Sequence, residues 1–356
     1  MRIEEVKSKK FESNLGLENN SQDDTRILAT ANIQSLTSNA DRLSLSTLVP
    51  NNTVNSYYAI TYRQDLNSNG LQLEAAANHY NNTDINKIYS GSSPLTISEE
   101  KNRNRFRLGI NYPFLLFRSS SWWGGASLQH LNEDSHFVIS SDSTSTTEVD
   151  KLLRYSAVEI NSNWLKKTGE QTYQVHGRIK QGLELGNEKN ESTRSGTTTQ
   201  GTESLNFTLI NLDALWKVRL SPKWQVQTKT NIFWSDDQLP SAESVRYGGR
   251  HFGRGYPGAQ AQGDKGYAAE IELRYLIPSD SVIIKRIEPY LVLDTAHSES
   301  NAMGIQHQLS SVALGLDLTD IQYYRVGFEY AQPTGDPTQN SNDHEPTYNL
   351  NLRWQF

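Results

Sequence analysis

The sequence predicts an all-β fold, a transmembrane antiparallel β-barrel of about 16 strands. Three observations support this prediction. Apolar and polar residues alternate along most of the chain, which is the two-residue period of a β-strand. Clusters of Asn, Ser, Asp, Gly and Thr separate the alternating segments, and short connections alternate with long ones. The last segment ends on an aromatic residue, Phe356.

The composition narrows the class of protein. The chain has 356 residues, 35% of them hydrophobic, and no stretch approaches the roughly 18–20 apolar residues of a membrane helix. This polarity is compatible with a wide membrane β-barrel, because one face of each of its strands lines a water-filled lumen. The 7 Trp and 17 Tyr residues suit the aromatic girdles of such a barrel. The net charge of -6 argues against a nucleic-acid partner, and the absence of Cys suits an extracytoplasmic protein.

The alternating segments predict one barrel domain that covers residues 10–356. The predicted strands are 10–18, 26–36, 41–48, 56–64, 71–80, 102–115, 121–131, 150–165, 171–184, 203–219, 223–235, 266–277, 287–297, 307–318, 323–332 and 347–356. Short turns are expected at 37–40, 65–70, 166–170, 220–222 and 320–321. Long polar loops are expected at 81–101, 131–149, 186–202, 236–265 and 333–346. Short turns at one rim and long loops at the other are typical of outer-membrane barrels.

The first residues do not have the pattern of a targeting segment. Met1–Lys10 is charged and contains no apolar core, so we expect no signal peptide in this chain. We expect residues 1–9 to be a linker that leads into the barrel.

Two strands show the alternation most clearly. From Tyr267 to Tyr275 every second residue is apolar, and the positions between hold Ala268, Glu270, Glu272 and Arg274. The last strand has one apolar face, formed by Tyr348, Leu350, Leu352, Trp354 and Phe356. We expect the apolar faces to contact lipid and the polar faces to line the lumen. The last strand also resembles the terminal strand by which bacterial outer-membrane barrels are recognised for assembly, with Trp354 and Phe356 as the signal. The alternative is an amphipathic strand of a soluble sandwich.

The connection 236–265 differs from the others because it is rich in glycine. It carries an Arg between two glycines, in the sequence Gly253-Arg254-Gly255-Tyr256. Glycine lets a backbone pass through a crowded space. An Arg held in such a loop usually meets a carboxylate or an aromatic face. The alternative is an exposed loop in which Arg254 has no partner.

Several motifs around this loop resemble the two-partner secretion transporters, the TpsB or ShlB/FhaC/HecB family. The family carries Gly-Gly-Arg, then Val-Arg-Gly-Phe/Tyr, then Gly-Asp-Arg-Gly before a strand. The corresponding residues are Gly248-Gly249-Arg250, Gly253-Arg254-Gly255-Tyr256 and Gly263-Asp264-Lys265-Gly266, after a matching lead-in at 238–243. On the next strand Asp294 stands at the family's inward Asp. The chain departs from the pattern at Gly253, Lys265 and Ala296, which stand where the family has Val, Arg and Gly.

The resemblance implies that the loop enters the lumen and that Arg254 pairs there with Asp294. It implies outer-membrane export of a TpsA-like partner exoprotein of haemolysin or adhesin type, without a cofactor. It places the chain in the bacterial outer membrane, in contact with lipid and lipopolysaccharide, after insertion by the barrel-assembly machinery. Family members also carry periplasmic POTRA domains before the barrel, so residues 1–9 are expected to be the end of a POTRA linker.

Other functions are compatible with parts of this pattern. A barrel-assembly factor of the same superfamily would share the loop, and a passive porin would not need an Arg–Asp contact inside it. A soluble β-sandwich would be extracted without detergent. No Gly-x-Ser-x-Gly, His-Glu-x-x-His or phosphate-loop motif occurs, so we expect neither an enzyme nor a metal site. A Ser–His–carboxylate site built by barrel strands is the enzymatic alternative.

Overall fold

The computed structural model describes residues 10–21, 23–37, 40–50, 55–90, 93–141, 146–302, 304–338 and 343–356. Residues 1–9, predicted to be a linker, lie outside this part. The strands are β1 (Phe11–Asn20), β2 (Asp23–Gln34), β3 (Arg42–Pro50), β4 (Asn55–Asp65), β5 (Gln72–Ser90), β6 (Ser93–Phe117), β7 (Ser120–Ser141), β8 (Thr146–Thr168), β9 (Gln171–Leu183), β10 (Lys189–Arg194), β11 (Thr197–Gln200), β12 (Thr208–Arg219), β13 (Trp224–Trp234), β14 (Val245–Tyr247), β15 (Ala261–Gly263), β16 (Lys265–Tyr275), β17 (Ile277–Pro278), β18 (Arg286–Glu299), β19 (Gln306–Thr319), β20 (Tyr324–Pro333) and β21 (Thr347–Gln355). Within these residues no helix is long and apolar enough to cross a membrane.

A closed antiparallel barrel of 16 strands is the main body of the protein. It consists of β1–β9, β12, β13, β16 and β18–β21. β21 pairs with β1 to close the ring, with Leu352 opposite Leu17 and Asn349 opposite Asn20. Closure removes the free edges that an open sheet would present. The predicted barrel is therefore confirmed, and the two-sheet sandwich is excluded.

The two faces of β16 are sorted as predicted. Tyr267 and Ile271 point outward and are 58% and 47% exposed, whereas Glu270 and Glu272 point into the lumen and are 2% and 5% exposed. Burying apolar surface is favourable by about 25 cal/mol per Å², so an outer face of this kind is stable in lipid and costly in water. Outward apolar and inward polar residues also alternate along the other barrel strands, so the barrel has the apolar outer surface of a membrane-spanning protein.

Aromatic residues collect at the rim that carries the short turns. Trp122, Trp224, Tyr323 and Trp354 lie there at the ends of strands and are exposed. Trp224 packs on Tyr275 with ring centroids 4.7 Å apart. Amphipathic rings at strand ends form the aromatic girdle that marks the boundary between lipid and water.

Side chains stabilise two of the short turns. The Asn67 side-chain oxygen accepts hydrogen bonds from the N–H groups of Asn69 and Leu71, at 3.0 and 3.1 Å. Asp320 Oδ1 accepts from the N–H groups of Tyr323 and Tyr324, both at 2.8 Å. These contacts satisfy backbone donors that no neighbouring strand reaches, so they help fix the register of the hairpins.

Two predicted external loops are strands instead. Within 81–101 the chain extends β5 and begins β6, and within 131–149 β7 and β8 continue to pair. β6 has 25 residues, about twice the 9–11 that a membrane crossing requires. The sequence of both segments is rich in polar residues, and apolar residues do not alternate regularly with them, so the two-residue period that marks a half-buried strand is missing there.

The predicted loop 186–202 is also partly strand. Its hairpin of β10 and β11 adds to the extended part of β8, with Asn190 opposite Leu153. The predicted strand 203–219 begins later than expected, at Thr208. Phe207, just before it, is fully buried in an apolar cluster inside the barrel.

Candidate functional site in the barrel lumen

The chain between β13 and β16 leaves the rim and folds into the barrel. We call residues 235–264 the lumen loop. Within it β14 and β15 form a two-stranded ribbon, with Tyr247 opposite Ala261. Tyr247, Tyr256 and Ala261 are buried against Ala268 and Ala296 of the barrel wall. The loop predicted to enter the lumen therefore does so, and it is packed against the wall.

Arg254 lies at the tip of the lumen loop among three glutamates of the wall. Its Nε and Nη2 atoms contact the two carboxylate oxygens of Glu270 at 3.1 and 3.0 Å. Nη2 also lies 3.5 Å from Glu272, and Nη1 bonds to Glu329. We call this group, which involves β16 and β20, the tip contact. A planar guanidinium matches a carboxylate in this two-bond arrangement, so the tip contact fixes orientation as well as position.

Tyr290 joins the tip contact to a second arginine. Its hydroxyl donates to Glu329 at 3.0 Å, and its ring centre lies 6.0 Å from the guanidinium carbon of Arg254 and 4.5 Å from that of Arg274. Arg274 in turn bonds to Glu272 at 2.9 Å. The wall below the tip is thus a continuous charged network. The sequence placed Glu272 and Arg274 in the lumen but gave no sign of this pairing.

Asp294 contacts the lumen loop in a different way from the one expected. The predicted guanidinium–carboxylate pair between Arg254 and Asp294 does not form, because the guanidinium reaches β16 and β20 instead. Asp294 accepts the backbone N–H groups of Gly253 and Arg254 at 3.0 and 3.1 Å, and the Ser311 hydroxyl at 2.7 Å. Asp294 is therefore a partner of the loop through the backbone, and it satisfies two donors that would otherwise be buried and unpaired.

Glycine lets the tip approach the wall closely. Gly253 has a φ of 105°, a conformation that favours glycine over the family's Val. A Cβ atom on Gly255 would lie 2.6 Å from the backbone nitrogen of Pro333. The hydroxyl of the buried Tyr256 accepts the N–H of Gly335 at 3.0 Å. These contacts press the tip against β20.

The motif residues Gly263, Asp264, Lys265 and Gly266 lie at the base of the lumen loop, where it joins β16. Asp264 accepts the N–H groups of Leu239 and Asn301, at 2.9 and 2.8 Å, so it joins both ends of the loop to the connection after β18. A Cβ on Gly263 would lie 2.5 Å from the Glu299 oxygen, and one on Gly266 would lie 2.8 Å from the His297 oxygen. Lys265 pairs with Asp236 at 3.0 Å. This motif therefore shapes the base and does not touch Arg254.

A second charged group, which no motif of the sequence predicted, holds the other end of the loop. Glu243 accepts from Lys180 Nζ at 2.7 Å, from the Tyr155 hydroxyl at 2.6 Å and from Arg105 Nη2 at 2.9 Å. Glu243 and Lys180 are 5% and 1% exposed. We call this group, which involves β6, β8 and β9, the root contact. In the sequence, this group is indicated only by the position of Glu243 in the lead-in segment 238–243, which matches the family.

The charges of the root contact change the acidity of Glu243. Burial alone would raise its pKa, but the positive charges of Lys180 and Arg105 and the bonds from Lys180 and Tyr155 lower the pKa to about 2. The carboxylate is therefore ionised throughout the physiological range. Nearby, Leu239 packs in a buried apolar cluster with residues of β7, β8, β12 and β13, and Ala242 and Val245 pack against it. The root of the loop is thus held by both charge and apolar packing.

The predicted assembly residues lie outside the lumen. Trp354 and Phe356 are 43% and 59% exposed on the outer face of the last strand, and their rings stack 5.9 Å apart. The N–H of Phe356 donates to the Ser13 oxygen of β1, so the C-terminus lies at the seam where the barrel closes. Within the described part of the chain, no group of His, Asp and Glu residues has the arrangement of a metal site.

Comparisons with solved structures agree with this architecture. CdiB from Escherichia coli superposes with a TM-score of 0.75 at 16% identity, over 99% of this chain and 64% of that one. CdiB from Acinetobacter baumannii gives 0.70 at 15% identity, over 98% of this chain and 60% of that one. BamA from Haemophilus ducreyi lacking POTRA domains 1-3 superposes with a TM-score of 0.65 at 12% identity, over 98% of this chain and 71% of that one. The chain thus spans less than two thirds of the length of either CdiB chain.

Comparison by sequence is more specific. No curated protein matches the chain. The family model for the haemolysin secretion/activation protein ShlB/FhaC/HecB matches residues 1–318, which include the lumen loop, the tip contact residues of β16 and Asp294. Together with the closed barrel, this match shows that the chain belongs to the ShlB/FhaC/HecB family of outer-membrane transporters of the two-partner secretion type.

Proposed function

We propose that this chain exports an unfolded partner protein of haemolysin or adhesin type across the outer membrane, through the lumen that the loop partly fills. The observation that carries the proposal is Arg254, which the family motif places at the loop tip and which contacts three wall glutamates. A passive pore needs no such contact. A loop fixed inside a barrel narrows the lumen and can regulate what passes.

The partners follow from the same proposal. The exported protein is TpsA-like, and POTRA domains would recognise it on the periplasmic side. The outer face contacts lipid and lipopolysaccharide. The barrel-assembly machinery inserts the chain by its last strand, with Trp354 and Phe356 as the signal. We propose no catalytic step and no cofactor, because folding of the partner outside the cell can make export favourable.

The second candidate is a barrel-assembly factor. The likeness to BamA favours it, but a likeness at 12% identity concerns the fold. The family match favours export, since it covers the lumen loop and most of the barrel. A porin is the least favoured, because the tip and root contacts both hold the loop in the lumen.

An export assay tests the proposal. The chain would be co-expressed with a two-partner exoprotein, joined to POTRA domains where the partner needs them, and secreted partner would be measured in the medium. We expect Arg254→Ala to abolish secretion while heat-modifiable mobility and surface proteolysis still report a folded barrel. The control is Arg194→Ala, which removes an exposed arginine from the external hairpin of β10 and β11. Wild-type secretion by Arg254→Ala would contradict the proposed role of the loop.

A further inference from the structure

Apart from the exposed pair of Asp236 with Lys265, which joins the two ends of the lumen loop at its base, three sets of ion pairs join the loop to the barrel wall, and one of them differs from the others. The tip and root contacts are buried. The third is a pair between Arg250 of the loop and Glu18 of β1, whose side chains are 41% and 43% exposed. Across the described residues, this is the loop's one ion pair with β1, and no ion pair joins it to β2–β5. We call it the β1 contact.

Apolar packing has the same asymmetry. The buried clusters that include loop residues draw their wall residues from β7, β8, β12 and β13 at the root and from β16, β18 and β19 near the tip. Gly255 is held against β20, and the Thr347 hydroxyl of β21 donates to the Arg254 oxygen at 2.8 Å. Among the ion pairs and buried apolar clusters of the described residues, the loop therefore rests on the wall from β6 round to β21, and the β1 contact is its link to the remaining sector.

The three contacts differ in how easily they break. An exposed ion pair typically shifts an equilibrium by no more than about 5-fold, because water and salt screen both charges. Removing one partner from a buried pair shifts it by more than about 100-fold, since the other charge is left in a low-dielectric site. When the lumen widens, the β1 contact should therefore open first.

We infer that the lumen loop stays attached at its tip and root contacts during transport, and that the exported chain passes between the loop and the inner wall of β1–β5 once the β1 contact opens. The inference rests on the proposed export function and adds the place where the pore opens. It also identifies the ligand of this wall as an extended, unfolded polypeptide.

The side chains of this wall are compatible with such a ligand. Their inward positions form a row across five strands in which each residue lies opposite the next: Asn14, Thr30, Ser46, Ala59 and Asn78. These side chains are short and uncharged, so a chain that passes along this row meets no large apolar side chain and no fixed charge. The same face also holds Leu28, Leu48 and Tyr57 in the next row, and the ion pair of Arg63 with Glu74 closer to the rim of the short turns. The wall from β16 to β20, by contrast, presents the charged network of the tip contact.

The absence of Cys allows a direct test with pairs of introduced cysteines in the full chain. One variant carries Glu18→Cys and Arg250→Cys across the β1 contact. The matched variant carries Gln260→Cys and Pro337→Cys, which join the other side of the loop to the segment after β20, where the Gln260 side chain lies 3.5 Å from the Pro337 oxygen. A short bis-methanethiosulfonate reagent bridges either pair, and a reductant releases it.

Passage is measured in planar bilayers as current blockades by an unfolded Gly/Ser-rich polypeptide with an acidic tail, drawn through by voltage. We expect the bridge between 18 and 250 to suppress passage and the reductant to restore it, whereas the bridge between 260 and 337 leaves passage intact. Passage that persists through the first bridge, or stops with the second, would overturn the inference and leave export in place. A chain that conducts ions but passes no polypeptide in any form would count against the proposed function itself.

Discussion

Replacing Glu243 with Gln should free the root of the lumen loop. In the native protein the carboxylate accepts bonds from Lys180, Arg105 and Tyr155, and it is the ion-pair partner of Lys180. A neutral amide keeps the size of the side chain but removes the ion-pair partner of the Lys180 ammonium, which is 1% exposed and is left with Glu159 of the neighbouring strand as its nearby carboxylate. Arg105 can turn toward lumen water because its side chain is 23% exposed. The cost should therefore fall mainly on Lys180.

The size of the effect follows from that burial. Breaking a buried ion pair by removing one partner costs about 3–5 kcal/mol. At 1.4 kcal/mol per factor of ten, local opening of the root should become roughly 100- to 4,000-fold more frequent. The barrel itself should remain folded, because its strands pair independently of the loop.

Amide hydrogen exchange in detergent micelles measures this opening. The N–H groups of Glu243 and Ser244 donate to the Pro240 oxygen at 2.8 and 3.2 Å, so their protection reports on the root. We expect protection to fall by two to three orders of magnitude in Glu243→Gln while amides in β18 and β19 are unaffected. A variant that also carries Lys180→Met should recover most of the loss, since it removes the unpaired charge. Unchanged protection in Glu243→Gln, or no recovery in the double variant, would show that the buried ion pair does not hold the root.

Three further predictions concern other parts of the loop and the last strand. Asp294→Ala should leave the N–H groups of Gly253 and Arg254 without an acceptor and cost about 1–3 kcal/mol locally, seen as faster protease cleavage at the tip than in wild type. The protection lost in Glu243→Gln should be constant above about pH 5 and shrink as pH falls toward 2. The ionised carboxylate of Glu243 stabilises the root fully above the pKa that it has when the root is open, and this stabilisation is lost as pH falls through the lowered pKa of the closed root. A difference that persists at pH 2 would be contrary evidence. Phe356→Ala should reduce assembled barrel in cells but not refolding in detergent, whereas Tyr348→Ala on the same exposed face should assemble normally; equal losses would rule out a terminal signal.

The sequence predicted the barrel well because lipid imposes one simple rule. Each membrane-crossing strand must be apolar on one side, so the period of two residues survives in single segments such as 266–277. The rule ends where the strands leave the membrane. The extensions of β5–β8 are rich in polar residues and lack the two-residue period, so their sequence looks like loop, although backbone pairing continues.

The site could be predicted only in part, for a related reason. The glycines and Arg254 mark the tip because they occur together in one short motif. The partners of Arg254 are spread over β16 and β20, and several inward carboxylates could have served equally well on sequence alone. The root contact joins four residues from four separate parts of the chain, each unremarkable in its own segment. Such contacts depend on strand register and barrel diameter, which no local pattern specifies.

The loop held by Arg254 is expected to control the lumen, and this control can be measured electrically. Single-channel conductance of the refolded chain in planar bilayers tests it most directly, with wild type compared with Arg254→Ala and with the exposed Arg194→Ala. We expect small or brief openings for wild type and Arg194→Ala, and larger, fluctuating openings when the tip contact is lost. Identical conductance and gating in all three proteins would contradict it.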